Sequence, residues 1–208
     1  SVDADTESET ITDAVYAEDG EGETLVSGTT SLPPEATRTY FLAELTIDAI
    51  ERRAAGGDAP FFHRTDFLGP HHPYVVPEPY ASMYDPDEIP PWPSYAETFE
   101  GKPRVHENYP RYRGVDDFEW ETWAELAAKY FGFVTFVDDQ MGRILDALES
   151  AGLDEETVVV HAADHGDFTG SHRQFNKGPL MYEQTYRIPL VVRDPTTDTV
   201  EDSEAFVR

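Results

Sequence analysis

Residues 158–195 read "VVVHAADHGDFTGSHRQFNKGPLMYEQTYRIPLVVRDP". A β-branched run ends on Asp164-His165-Gly166, collects Asp167, His172 and Lys177, and gives way to a second apolar run at 187–195. The first run is predicted as a buried strand over 156–163 and the second as another strand, with a long polar loop between them. A strand that only filled a core has no use for a carboxylate and an imidazole at its tip. In open α/β sheets functional groups gather at the carboxyl ends of strands, where Asp164 and His165 fall. A carboxylate oxygen and a neutral imidazole nitrogen together suit a divalent cation, and Gly166 permits a sharp turn away from it. The plain alternative is a solvated Asp-Gly or His-Gly turn, since Asp is common at strand ends. Lys177 offers a positive charge to an anion, with a salt bridge as its plain alternative. Asp167 reads as a turn former and His172 as an ordinary loop histidine.

Upstream of this stretch, residues 119–150 carry apolar side chains at 123, 126, 130, 133, 134, 137, 141, 144, 145 and 148. That 3-4 spacing predicts a long, well-buried helix, with Gly152 placed to cap it. A second helix is expected over 37–55, with Arg52 and Arg53 in its last turn and Gly56-Gly57 as its stop. "APFFHRTDFLG" (59–69) reads as a short strand. It runs into "PHHPYVVPEPY", whose four prolines impose an extended loop. His71 lies there beside His72, between two prolines that stiffen the loop and aim its side chains. A histidine so placed can donate a proton or meet an oxyanion. Residues 81–118 show little periodicity and read as one long Pro-, Tyr- and acid-rich loop of the kind that often carries function. Residues 1–36 hold ten acidic residues and no basic one, and read as an acidic, loop-rich segment. Strand–loop–helix–strand order makes the class α/β, with a largely parallel, mixed central sheet flanked by helices.

Composition narrows the partners. The 208 residues carry 42 acids against 15 bases, a formal charge of −27. Such a balance excludes nucleic acid, whose affinity rests on phosphate neutralisation, and disfavours anionic membranes. The acids are spread along the chain rather than blocked, which reads as a surface adapted to high salt, and a halophilic source is expected. There is no Cys, hence no disulfide, thiolate ligand or Cys nucleophile within the chain. No stretch approaches the ~20 apolar residues of a membrane span. A soluble, cytoplasmic protein is the expectation, with export left open because residue 1 is Ser. Both ends of the chain read as cut rather than finished.

The order of the pieces is more specific than any of them. "PFFHRTDFLGPHHPYVVPEPY", the helix "YFGFVTFVDDQMGRILDALES", and "TVVVHAADHGDFTGSH" followed by "KGPLMYE" and "RIPL" together resemble the sulfatase family of the alkaline-phosphatase-like superfamily. The likeness spans roughly residues 37–195. The resemblance implies an alkaline-phosphatase-like α/β fold present in part, residues 37–208 being the central and later part of its catalytic domain. It implies that Asp164 and His165 are the second pair of metal ligands. It implies that Lys177 contacts the sulfate and that His71, from the family's H-x-P element, lies over the leaving-group oxygen. Glu183 and Arg187 match as supports. The implied reaction is hydrolysis of a small-molecule or carbohydrate sulfate ester at one divalent cation. That cation is usually calcium, with magnesium or manganese as alternatives, and the nucleophile is a formylglycine made from Cys or Ser. The family's [C/S]-x-P-S-R element is not matched here. Ser31-Leu32-Pro33 begins like it, but Pro34 and Glu35 follow, and Glu35 would repel the anion that the arginine holds. The chain alone is therefore expected to be inactive, to bind calcium weakly, and to leave strand edges open to aggregation. Two other readings remain: a phosphodiesterase or phosphonate monoester hydrolase of the same superfamily, and a non-catalytic binding protein on the same scaffold.

Overall fold

The fold is seen in a computed structural model that describes residues 10–19, 22–56 and 59–197. Five strands and four helices follow one another as β1 (Ile11–Asp19), β2 (Gly22–Thr30), α1 (Arg38–Ala55), β3 (Tyr74–Pro77), α2 (Arg104–Tyr112), α3 (Trp120–Ser150), β4 (Val159–Ala162), α4 (Glu183–Tyr186) and β5 (Leu190–Arg193). The α/β class expected from the sequence is present, and its pairing is mixed. β1 and β2 pair antiparallel, β2 and β3 pair parallel, and β4 and β5 form a separate antiparallel pair.

α3 is the organising element. Its 31 residues bury Trp123, Leu126, Val137 and Leu148 of the predicted face and Phe136 beside it, while Val134 and Leu145 of that face are exposed. Gly152, at φ +67°, follows its last turn as the expected left-handed cap. The helix passes so close to Tyr80 that a Cβ on Gly132 would lie 2.1 Å from the Tyr80 carbonyl oxygen, which only glycine allows. α1 starts where the Thr37 hydroxyl accepts the Tyr40 N–H, packs along α3, and ends with Arg52 and Arg53 in its last turn as expected. Between helix and sheet, Val26, Tyr74, Val115, Trp123, Leu126 and Phe175 form one continuous core.

Four expectations are corrected. The segment before residue 36 is not loop-rich where described: β1 and β2, nine residues each, pair antiparallel, and β2 buries Val26 to Thr30. Threonine and glycine hid it, because they give little apolar alternation. Residues 59–69 form no strand, while "YVVP", read as loop, is β3. Pro77 is tolerated there because it ends the strand, where a missing N–H disturbs least. The stretch 81–118 is not structureless. It holds three 3-10 turns and α2, each of the turns at 86–88 and 93–96 opened by a proline in its first helical positions. Finally, the strand over Val159–Ala162 is exposed rather than buried, and β5 is exposed throughout, since no other described element covers the pair.

Candidate functional site

The four residues singled out from the sequence gather about His165, whose ring is approached by His71, Lys177 and Asp164 in turn. His71 and His72 come from the loop that enters β3, and Asp164 and His165 from the end of β4. Lys177 comes from the return loop, immediately after core residues Phe175 and Asn176. The His71 and His165 rings face each other edge-on with centroids 6.0 Å apart. Lys177 Nζ is in hydrogen-bond contact with His165 Nε2. Asp164 is 90% exposed, with a carboxylate oxygen 3.8 Å from that same Nε2.

Backbone carbonyls fix the tautomers. His165 Nδ1 lies 2.8 Å from the Gly166 oxygen, which only accepts, so Nδ1 carries the proton and Nε2 presents its lone pair toward Lys177. His71 Nδ1 likewise donates to the His72 oxygen at 2.7 Å, turning Nε2 outward. A hydrogen bond on the remote nitrogen is how a metal-binding imidazole is usually oriented. Two donors 3.8 Å apart can both reach one hard cation at ~2.3–2.6 Å. Among the described residues no group of three or more His, Cys, Asp or Glu converges on one point. Asp164 and His165 therefore fit a divalent cation as two ligands of a larger set.

Gly166 is required for a reason that differs from the expected sharp turn. A Cβ there would lie 2.0 Å from the Gln184 carbonyl oxygen, and the Gly166 N–H donates to the Thr185 oxygen at 2.9 Å. The strand tip is thus clamped onto α4. Asp167, expected as a turn former, accepts hydrogen bonds from the N–H and hydroxyl of Thr169 two residues on, as a turn-forming Asp does, and in addition from the Tyr74 hydroxyl. Burial pushes its carboxyl above the usual carboxylate range despite those bonds. Asp167 ties the loop to β3 and stays out of the site. His172 is also elsewhere: it stacks on Tyr182 and reaches Glu97 at 3.2 Å.

Two residues not singled out complete the surroundings. The Tyr109 hydroxyl donates to the Lys177 carbonyl oxygen, so α2 holds the lysine's backbone. Arg113, at the end of α2, approaches His72 with Nη2 3.0 Å from Nε2. Burial, then Arg113, then His71, lowers the His72 imidazole to about 4, which keeps it neutral at neutral pH. Nothing local in "NYPRYRG" announces these contacts, which arise only when α2 docks between a loop 41 residues earlier and one 68 residues later.

Against known proteins, the model of the Sulfatase family matches residues 7–208. An arylsulfatase of Clostridium perfringens is 30% identical over 158 residues, covering 76% of this chain and 32% of its own length. A multifunctional alkaline phosphatase superfamily protein of Trinickia caryophylli is 29% identical over 196 residues, or 84% of this chain and 36% of its own. Among solved structures, the phosphonate monoester hydrolase of Agrobacterium radiobacter superposes with a TM-score of 0.67 at 31% identity, over 81% of this chain and 35% of that one. The chain spans about a third of the length of the relatives it matches. Fold, motif order and family model agree, and the chain belongs to the sulfatase family.

Proposed function

We propose that this chain carries one half of the active site of a sulfuric ester hydrolase. The observation that supports this most is the approach of His71 and Lys177, from separate loops, to the His165 ring beside the Asp164 carboxylate. Asp164 and His165 hold a divalent cation, calcium by family resemblance. When bound, that cation supplies Lewis acidity toward the ester oxygens and a charge against which the nucleophile ionises. His165 provides a lone pair of fixed direction, and Asp164 provides negative charge at the open edge. The Lys177 ammonium stabilises charge developing on the sulfuryl oxygens, and its main chain, held by Tyr109, keeps it from drifting. As an imidazolium, His71 has an N–H on Nε2 to give to the leaving oxygen. The remaining ligands and the formylglycine nucleophile belong to residues outside these 208, among which there is no Cys.

A second reading has its own support. The phosphonate monoester hydrolase named above superposes well at 31% identity, and a ligand pair with a lysine suits phosphoryl oxygens as well as sulfuryl ones. The test is hydrolysis of 4-nitrophenyl sulfate beside 4-nitrophenyl phenylphosphonate by the full-length protein. A higher kcat/KM on the sulfate ester supports the first reading and a higher value on the phosphonate supports the second. Turnover of neither removes both and leaves a binding protein.

A further inference from the structure

Arg113 stands out among the cations of this molecule by its place beside the histidines of the site. Its neighbour on α2, Arg111, pairs with Glu107 and Asp116, and Arg52, Arg64, Arg143, Arg193 and Lys102 each meet a carboxylate. Arg113 and Lys177 meet none among the described residues, as is also true of Arg38, Arg104, Arg173 and Lys129, but of these only Arg113 bonds to a histidine next to His71. What Arg113 meets instead is the active-site wall. Its guanidinium lies over the Phe175 ring, 5.3 Å from the centroid, and makes one described side-chain hydrogen bond, to the neutral His72. That leaves most of its five N–H donors without a protein side-chain partner.

The platform beneath it is rigid. Phe175 is 2% exposed and belongs to the core cluster, and His72 packs edge-on against it at 5.1 Å. The Arg113 main chain is held by the last carbonyls of α2, at Tyr109 and Pro110. His72 in turn stacks on His71 with ring centroids 4.6 Å apart, so one imidazole separates the Arg113 guanidinium from the histidine that faces His165. A forked, half-buried cation kept free of acids, one ring away from His71, has the geometry to grip a second anion in two-pronged fashion.

We propose that Arg113 is a specificity-determining residue that binds a second anionic group of the substrate, a carboxylate or a further sulfate close to the ester that is cleaved. This rests on the reading of Lys177 as the residue that meets that ester. The substrate class is thus a sulfate ester bearing at least two negative groups on neighbouring positions, rather than a singly charged aryl sulfate.

The test separates recognition from chemistry by using ligands that cannot be hydrolysed. Benzenesulfonate and 2-sulfobenzoate differ by one ring carboxylate, and their affinities for the full-length, calcium-loaded protein are measured by calorimetry. The expected result is that the carboxylate tightens binding by roughly ten- to a hundredfold. That preference should collapse in Arg113→Gln, survive in part in Arg113→Lys, and shrink as salt is raised. Equal affinity of the wild-type protein for the two ligands overturns the proposal without recourse to any variant. A preference that is unchanged in Arg113→Gln overturns it too. Should the preference depend on Arg113 while no sulfate ester is turned over, the anion site stands and the assigned reaction falls.

Discussion

His165 has one lone pair to offer and two groups that can take it. With Nδ1 committed to the Gly166 carbonyl, Nε2 accepts from Lys177 in this structure. Under the proposed assignment a cation held by His165 Nε2 would replace that contact and leave the Lys177 ammonium free for an ester oxygen, which would link metal loading and readiness for an anion at a single atom. The link depends on where Gly166 puts the ring. Gly166→Ala would drive a Cβ into the Gln184 carbonyl oxygen and force the strand tip off α4. The expected cost is about 1–3 kcal/mol in urea unfolding, as for other overpacked sites, with weaker cation binding alongside. Unchanged stability and affinity would show that α4 gives way freely. At this scale the sequence was readable where function is local. Asp164, His165 and Lys177 draw notice through a strand tip and a Lys-Gly-Pro turn, while the roles proposed for them come from the family resemblance. Arg113 and Tyr109 draw none, because their roles exist only in the folded contact between α2 and the loop at 174–178.

Elements tell the same story through their ties. The region between β3 and α3 was read as one loop, since prolines and acids conceal short turns that have no periodicity. What orders it is a polar knot. The Glu97 carboxylate accepts from Lys102, from the Thr98 and Phe99 N–H groups, and from His172, while Lys102 and His106 both meet the Tyr182 hydroxyl. This fastens residues 97–106 to the loop that carries Lys177. Desolvation would raise the Glu97 carboxyl, but the hydrogen bonds from Lys102, Phe99 and His172 outweigh it and bring it from 4.5 to about 2. A carboxylate held below its ordinary range adds stability that is complete above that range and lost as pH falls through the folded value. Glu97→Gln should therefore be less stable than wild type above pH 5, with the gap closing between pH 4.5 and 2. Urea unfolding across that range checks it, and a gap independent of pH would mean that Glu97 acts through packing alone. The long helices, by contrast, were legible to within a residue or two, because α1 and α3 repeat their apolar face over many turns.

Over the whole molecule, the core is complete around α3 and thin around β4 and β5. Val158, Val160, Val191 and Val192 are each more than half exposed, although their composition is that of buried strands. β-branched runs predict burial without saying which neighbour provides it, and among the described residues none does. The proposed site has the same one-sided character, with Asp164, His165, Lys177 and His71 on one wall and no Cys in the chain to serve as nucleophile. No helix among the described residues is long and apolar enough to cross a membrane. The proposal that Asp164 and His165 hold a divalent cation beside Lys177 is tested by calorimetric titration of calcium into the full-length protein and its His165→Ala variant. One site is expected in the wild-type protein, weakened by at least about tenfold in the variant, in line with the loss of a ligand that fixes the ion. Equal affinity in the two proteins would remove His165 from the metal site.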